Sequence, residues 1–137
     1  MMRLPLIAAV WVLAGLSAAH GCSCVAESNP AAALRKLDLV AHVTVAASVY
    51  APGQNLPWQN QSVILTVRPT GRPLKGTFDG PWDIRTIKGN GANCGLPKRH
   101  LAPGSTFLLG AVKRDGTLHT NLCLHGLAGT AARGLEH

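Results

Sequence analysis

The placement of the four cysteines limits this chain more than any other feature. Cys22, Cys24, Cys94 and Cys123 all follow an apolar N-terminal leader, and none lies within it. In the leader, Arg3 supplies a positive start and Leu4 to Leu16 is almost unbroken apolar sequence. Ala19 and Gly21 then put small residues where a signal peptidase reads. The run is short of the ~20 residues of a membrane span. Residues 1–21 are therefore expected to be a cleaved secretory signal, with Cys22 first in the mature chain. An uncleaved anchor is a lesser alternative. Lipidation at Cys22 is another, disfavoured by His20 and by the odd number of cysteines it would leave. Export to a secreted or periplasmic location exposes the thiols to oxidation, so an even count reads as two disulfides. A Cys22–Cys24 bridge would close a strained three-residue ring. Two cross-linked arrangements remain, and both tie the N-terminal segment to Cys94 and Cys123. A zinc site built from all four is disfavoured, because Cys94 and Cys123 do not form a second close pair.

Beyond the leader the hydropathy pattern is that of a small β domain. Asn29 and Pro30, followed by Ala31 to Leu37, predict a short capped helix. From Leu39 to Val49 every odd position is apolar, the period of a half-buried strand. Ser62 to Arg68 alternates in the same way, and Trp82 to Lys88 is a third strand candidate. Ser105 to Val112 and Thr117 to Leu122 are expected to form a hairpin around Asp115-Gly116. Residues 51–61 and 69–81 read as loops. The expected fold is all-β: five short strands in a small Greek-key barrel or sandwich, preceded by one helix. Residues 22–125 form that single domain. Residues 126–137, rich in Gly and Ala, are expected to be a flexible tail, and Leu135-Glu136-His137 has the look of a tag remnant.

Charge narrows the partners. Thirteen Lys and Arg stand against six Asp and Glu, which suits an anionic glycan, a cell surface or an acidic protein. Nucleic acid is not expected, because aromatics are few and the basic residues are scattered. No transmembrane segment is expected after cleavage, and the mature chain is expected to be a monomer. An enzyme is not expected either. Oxidised cysteines offer no nucleophile, Ser23 has no elbow motif around it, and Asp79/Asp83 and Asp115/Glu136 lack a supporting pattern. His119 and His125 flank Cys123, while His42 and His100 lie elsewhere. No close ligand pair is evident, so no metal of its own is expected.

The start Cys22-Ser23-Cys24-Val25 resembles that of the tissue inhibitors of metalloproteinases. Further segments agree in order: Leu37-Asp38-Leu39-Val40, Asp83-Ile84-Arg85, Cys94-Gly95, Phe107-Leu108-Leu109-Gly110, and Asp115-Gly116-Thr117-Leu118-His119 running to Cys123. The ordered set spans nearly the whole mature chain. It departs from the animal inhibitors in having no third disulfide, in showing no counterpart of their C-terminal domain, and in Ala26, where they often carry Pro. The resemblance implies the netrin-like form of the five-stranded OB-fold barrel. It also implies the pairing Cys22–Cys94 and Cys24–Cys123.

The resemblance further implies a function carried by the N-terminus. The α-amine and carbonyl of Cys22 would chelate the catalytic zinc of a target metalloproteinase, so the zinc belongs to the target and no cofactor is needed. Ser23 would enter the specificity pocket, and Cys24 and Val25 would follow along the cleft. Asn93, Cys94 and Gly95 would lie beside this edge and add contacts, and the loop from Ala51 to Gln61 would reach further along the enzyme. The rival reading makes the cysteine pair a plain staple on a non-inhibitory netrin-like module that binds an extracellular protein or anionic glycan.

Overall fold

A computed structural model describes residues 22–52, 60–77, 79–90 and 93–135. The expected signal at residues 1–21, residues 53–59 of the long loop, and Glu136-His137 lie outside that description. The first helix, α1 (Pro30–Arg35), forms where the cap predicts it. Asn29 Oδ1 accepts from the Ala32 amide at 3.0 Å, and Pro30 occupies the first turn, where its missing N–H costs nothing.

Five strands follow: β1 (Leu39–Tyr50), β2 (Ser62–Pro69), β3 (Trp82–Ile87), β4 (Thr106–Arg114) and β5 (Thr117–His119). They close into a barrel in the order β1-β2-β3-β5-β4, the expected five-stranded OB-fold-like architecture. All pairings are antiparallel except β3 with β5. The long β1 serves both sides of the barrel, pairing β4 through Leu39–Thr44 and β2 through Val43–Tyr50. The turn between β4 and β5 has φ of 51° at Asp115 and 79° at Gly116. Left-handed conformations at both central residues match the twist of a tight hairpin, as the Asp-Gly pair predicts.

Alternation puts Leu39, Ala41, Val43 and Val45 inside the barrel, with Val63, Leu65, Val67, Ile84 and Leu109 from the other strands. Full burial of each large aliphatic side chain contributes roughly 2 kcal/mol. The expected inward set in β1 fails beyond Val45. The register slips between Val45 and Ala47, and the extra residue of this bulge turns Ala47 and Val49 outward. Val49 is 63% exposed as a result.

A second apolar cluster covers one outer face of the barrel. Val40 of β1 packs there with Ala33 and Leu37, and with Ala128 and Ala131 of a C-terminal helix, α3 (Leu122–Leu135). A four-residue helix, α2 (Lys98–Leu101), precedes β4. The helix α3 corrects two expectations. The fifth strand ends at His119, not Leu122, because Asn121 caps the helix, its Oδ1 accepting from the Leu124 amide at 2.9 Å. The segment from Gly126 is not a frayed tail. Its small residues let α3 approach its neighbours closely: Ala128, Ala131 and Ala132 are buried, and Gly134 lies against Pro30. Gly110 of β4 leaves room for the Leu124 carbonyl, which a Cβ there would meet at 2.5 Å. Among the described residues, no helix is long and apolar enough to cross a membrane.

Candidate functional site

Residues 22–29 run as an irregular segment before α1. Two disulfides tie its start to the barrel, in the pairing Cys22–Cys94 and Cys24–Cys123, with Cα separations of 4.9 and 5.3 Å. No described cysteine is free. The bridges lie side by side, with Cys22 Sγ 3.6 Å from Cys123 Sγ and 3.9 Å from Cys24 Sγ. Such a cluster of sulfurs has the proximity of a metal site but not its chemistry, because each sulfur is held in a disulfide and none is available as a thiolate.

Both anchors are themselves tied together. Cys123 is the second residue of α3, and the Leu122 amide donates to the Cys94 carbonyl at 2.9 Å. At the far end, Glu27 Oε2 pairs with Lys36 Nζ at 3.1 Å, and Glu27 Oε1 accepts from the Asn29 amide at 3.3 Å. The Lys36 ammonium holds the Glu27 carboxyl below the usual carboxylate range. The edge from Cys22 to Ala26 is thus held at Cys22, Cys24 and Glu27. Between these points Ser23, Val25 and Ala26 are exposed, Val25 by 89%, and Cys24 itself is exposed. A medium-sized aliphatic side chain in that position buries almost nothing within its own chain.

Of the three other predicted site residues, the one bridged to this edge is Cys94. Asn93 organises the loop that carries it. Its Oδ1 accepts from the Asn90 and Gly95 amides at 3.2 and 3.0 Å, and its Nδ2 donates to the Lys88 carbonyl and to Asn60 Oδ1 at 2.9 and 3.1 Å. Gly95 is buried, pressed on the backbone of Ile87 to Gly89. Both therefore do the work of turn residues, and hold Cys94 in place. Of the loop expected to reach further, only its two ends are described.

One cluster escaped the sequence reading. His100 and His125 lie 25 positions apart in the chain, yet their ring centroids are 4.9 Å apart, with Phe107 at 5.2 and 6.0 Å. Neither spacing nor composition announces such a pair, because the barrel brings α2 and α3 together. His125 Nδ1 donates to the Leu108 carbonyl at 3.0 Å, whereas His100 Nδ1 is buried without a partner among the described residues. Burial, then the neighbouring His125 and Arg99, hold the His100 imidazole below its ordinary value. The unfolded chain therefore binds the proton first, from about pH 6.5 downward. The stability conferred by neutral His100 is full above that value and is lost as pH falls toward the folded-state value. We expect the urea midpoint to drop between about pH 7.5 and about pH 5.5, and His100→Phe to flatten that drop. An equally steep drop in the variant would assign it elsewhere.

His42 is exposed on β1 and His119 sits in β5, so no three histidine or acidic side chains converge among the described residues. No family model matches the sequence, and no curated protein matches it.

Proposed function

We propose that the exported chain, cleaved before Cys22, inhibits zinc metalloproteinases through its new N-terminus. The observation that carries this reading is an edge held at three points, by two disulfides and an ion pair, with its intervening side chains exposed. A segment fixed before binding loses little conformational freedom on docking, so more of its contact energy appears as affinity.

In this reading the Cys22 amine and carbonyl oxygen occupy the open coordination position of the target's zinc and displace the water that attacks substrate. A terminal amine with a reference pKa of about 8 has a usable neutral fraction at neutral pH. Ser23 enters the pocket beside the zinc, and Val25 adds apolar contact along the cleft. Asn93 and Gly95 act indirectly, by fixing Cys94. The chain is then a ligand of an enzyme rather than an enzyme, acting as a monomer in a secreted or periplasmic setting. Its disulfides suit such an oxidising compartment.

The test compares a protein beginning at Cys22 with one carrying a single extra Ala before it, against a panel of zinc metalloproteinases. The extension blocks chelation and is expected to weaken inhibition by about two orders of magnitude or more, equivalent to about 3 kcal/mol. Equal inhibition by both would move the contact to another surface. Inhibition by neither would favour the non-inhibitory binding module.

A further inference from the structure

The described residues include five exposed large apolar side chains, and three of them, Val49, Tyr50 and Ile64, line one cleft of about 580 Å³. This volume lies within the usual range for small-molecule sites. Register explains how the cleft is built. Val49 pairs with Ile64, Ile64 with Arg85, Arg85 with His119, and His119 with Val112, so the five form one row across all five strands. The bulge in β1 contributes by turning Val49 to the outer face.

The row is apolar at Val49 and Ile64, cationic at Arg85 in its middle, and ends on Val112. Arg85 and Arg114 line the cleft, both are exposed, and neither guanidinium has a hydrogen bond or ion pair among the described residues. Among the described residues, no Asp or Glu lines it. The acid nearest in sequence on that face, Asp83, accepts from the Thr66 hydroxyl at 2.7 Å. A further observation is independent of charge. Thr86 lines the cleft and is 7% exposed, yet its hydroxyl has no partner among the described residues. A buried hydroxyl without a partner is costly, but Thr86 alternates with Arg85 along β3 and pairs with the core residue Val63, so it belongs to the inner rim of the cleft.

We propose that this cleft binds a medium-chain fatty acid, its carboxylate at Arg85 and Arg114 and its alkyl chain along Ile64 and Val49. Guanidinium groups suit a carboxylate because they offer paired donors in a plane. Val49 and Arg85 lie two strand spacings apart, about 10 Å, the length of roughly eight carbons. A sulfated sugar would match the arginines but leave the apolar end in contact with hydroxyl groups. The cleft adjoins the Cys22 edge, because Cys94, bridged to Cys22, lines it, but the proposal does not rest on the inhibitor reading.

The test is calorimetric titration of the disulfide-bonded protein with decanoate below its micelle concentration, beside decanol and a heparin fragment. Decanoate is expected to bind, and decanol, which lacks the charge, to bind about tenfold more weakly. Arg85→Gln should cost about tenfold in decanoate affinity, with Arg85→Lys recovering part of it. Ile64→Asp should remove binding while circular dichroism stays unchanged. The proposal is overturned if decanol matches decanoate, if Arg85→Gln binds decanoate unchanged, or if only the heparin fragment binds.

Discussion

Replacing Cys24 and Cys123 together by alanine is expected to lower stability by about 4 kcal/mol. The bridge spans 99 residues in sequence, and with Cys22–Cys94 intact it still closes a loop of about 30 residues in the unfolded chain. The folded state is affected as well. Cys123 opens α3, and the bridge joins the start of that helix to the exposed edge. Urea unfolding under non-reducing conditions measures the loss. The variant should also inhibit less well on the proposed mechanism, because residues 23–26 would then be tethered only at Cys22 and Glu27. A loss below about 1 kcal/mol would mean that the packing of α3 on β4 and α1 holds the C-terminal segment without help. In that case the bridge serves the edge alone.

Gly95→Ala is expected to cost roughly 3 kcal/mol, at the severe end of overpacking. A Cβ there would lie 2.5 Å from the Ile87 carbonyl oxygen, 2.6 Å from the Lys88 carbonyl carbon and 2.7 Å from the Gly89 nitrogen. All three are backbone atoms, so no side chain can swing aside to relieve the contact. The loop must move instead, and Cys94 moves with it. Gly71→Ala is the matched control. Nothing lies within 4 Å of a Cβ at Gly71, and its stability should change by less than about 0.5 kcal/mol. If Gly95→Ala proves as neutral as the control, the loop tolerates displacement and Gly95 does not fix the position of Cys94.

Local sequence was a good guide wherever the decisive physics was local. The cap at Asn29, the tight turn at Asp115-Gly116 and the alternation in β1, β2 and β3 all depend on near neighbours. The bulge after Val45 was hidden, because alternation continues through it in the sequence while the ladder slips in space. The helix α3 was hidden for another reason. Gly126, Gly129 and Gly134 weaken it as an isolated helix, and its alanines carry little amphipathic signal. It is held by contacts with α1 and β4 that lie far away in the chain.

The candidate site divides along the same line. The resemblance carried in part by the Cys-x-Cys start implied an exposed N-terminal edge. The roles of Asn93 and Gly95 became clear only with the loop folded around them. The His100–His125 pair and the row from Val49 to Val112 join residues from separate elements, and no linear spacing encodes such neighbours. Sequence by itself determined the strand faces as far as Val45 in β1, the cap at Asn29, the turn at Asp115-Gly116, and the count of cysteines available for bridging. These follow from steric preferences and hydrophobic periods within a few residues. The resemblance implied the cysteine pairing that the structure shows, whereas only the tertiary structure decided where β1 changes face and that the C-terminal segment is a packed helix. Each of these depends on which distant surfaces meet when the barrel closes.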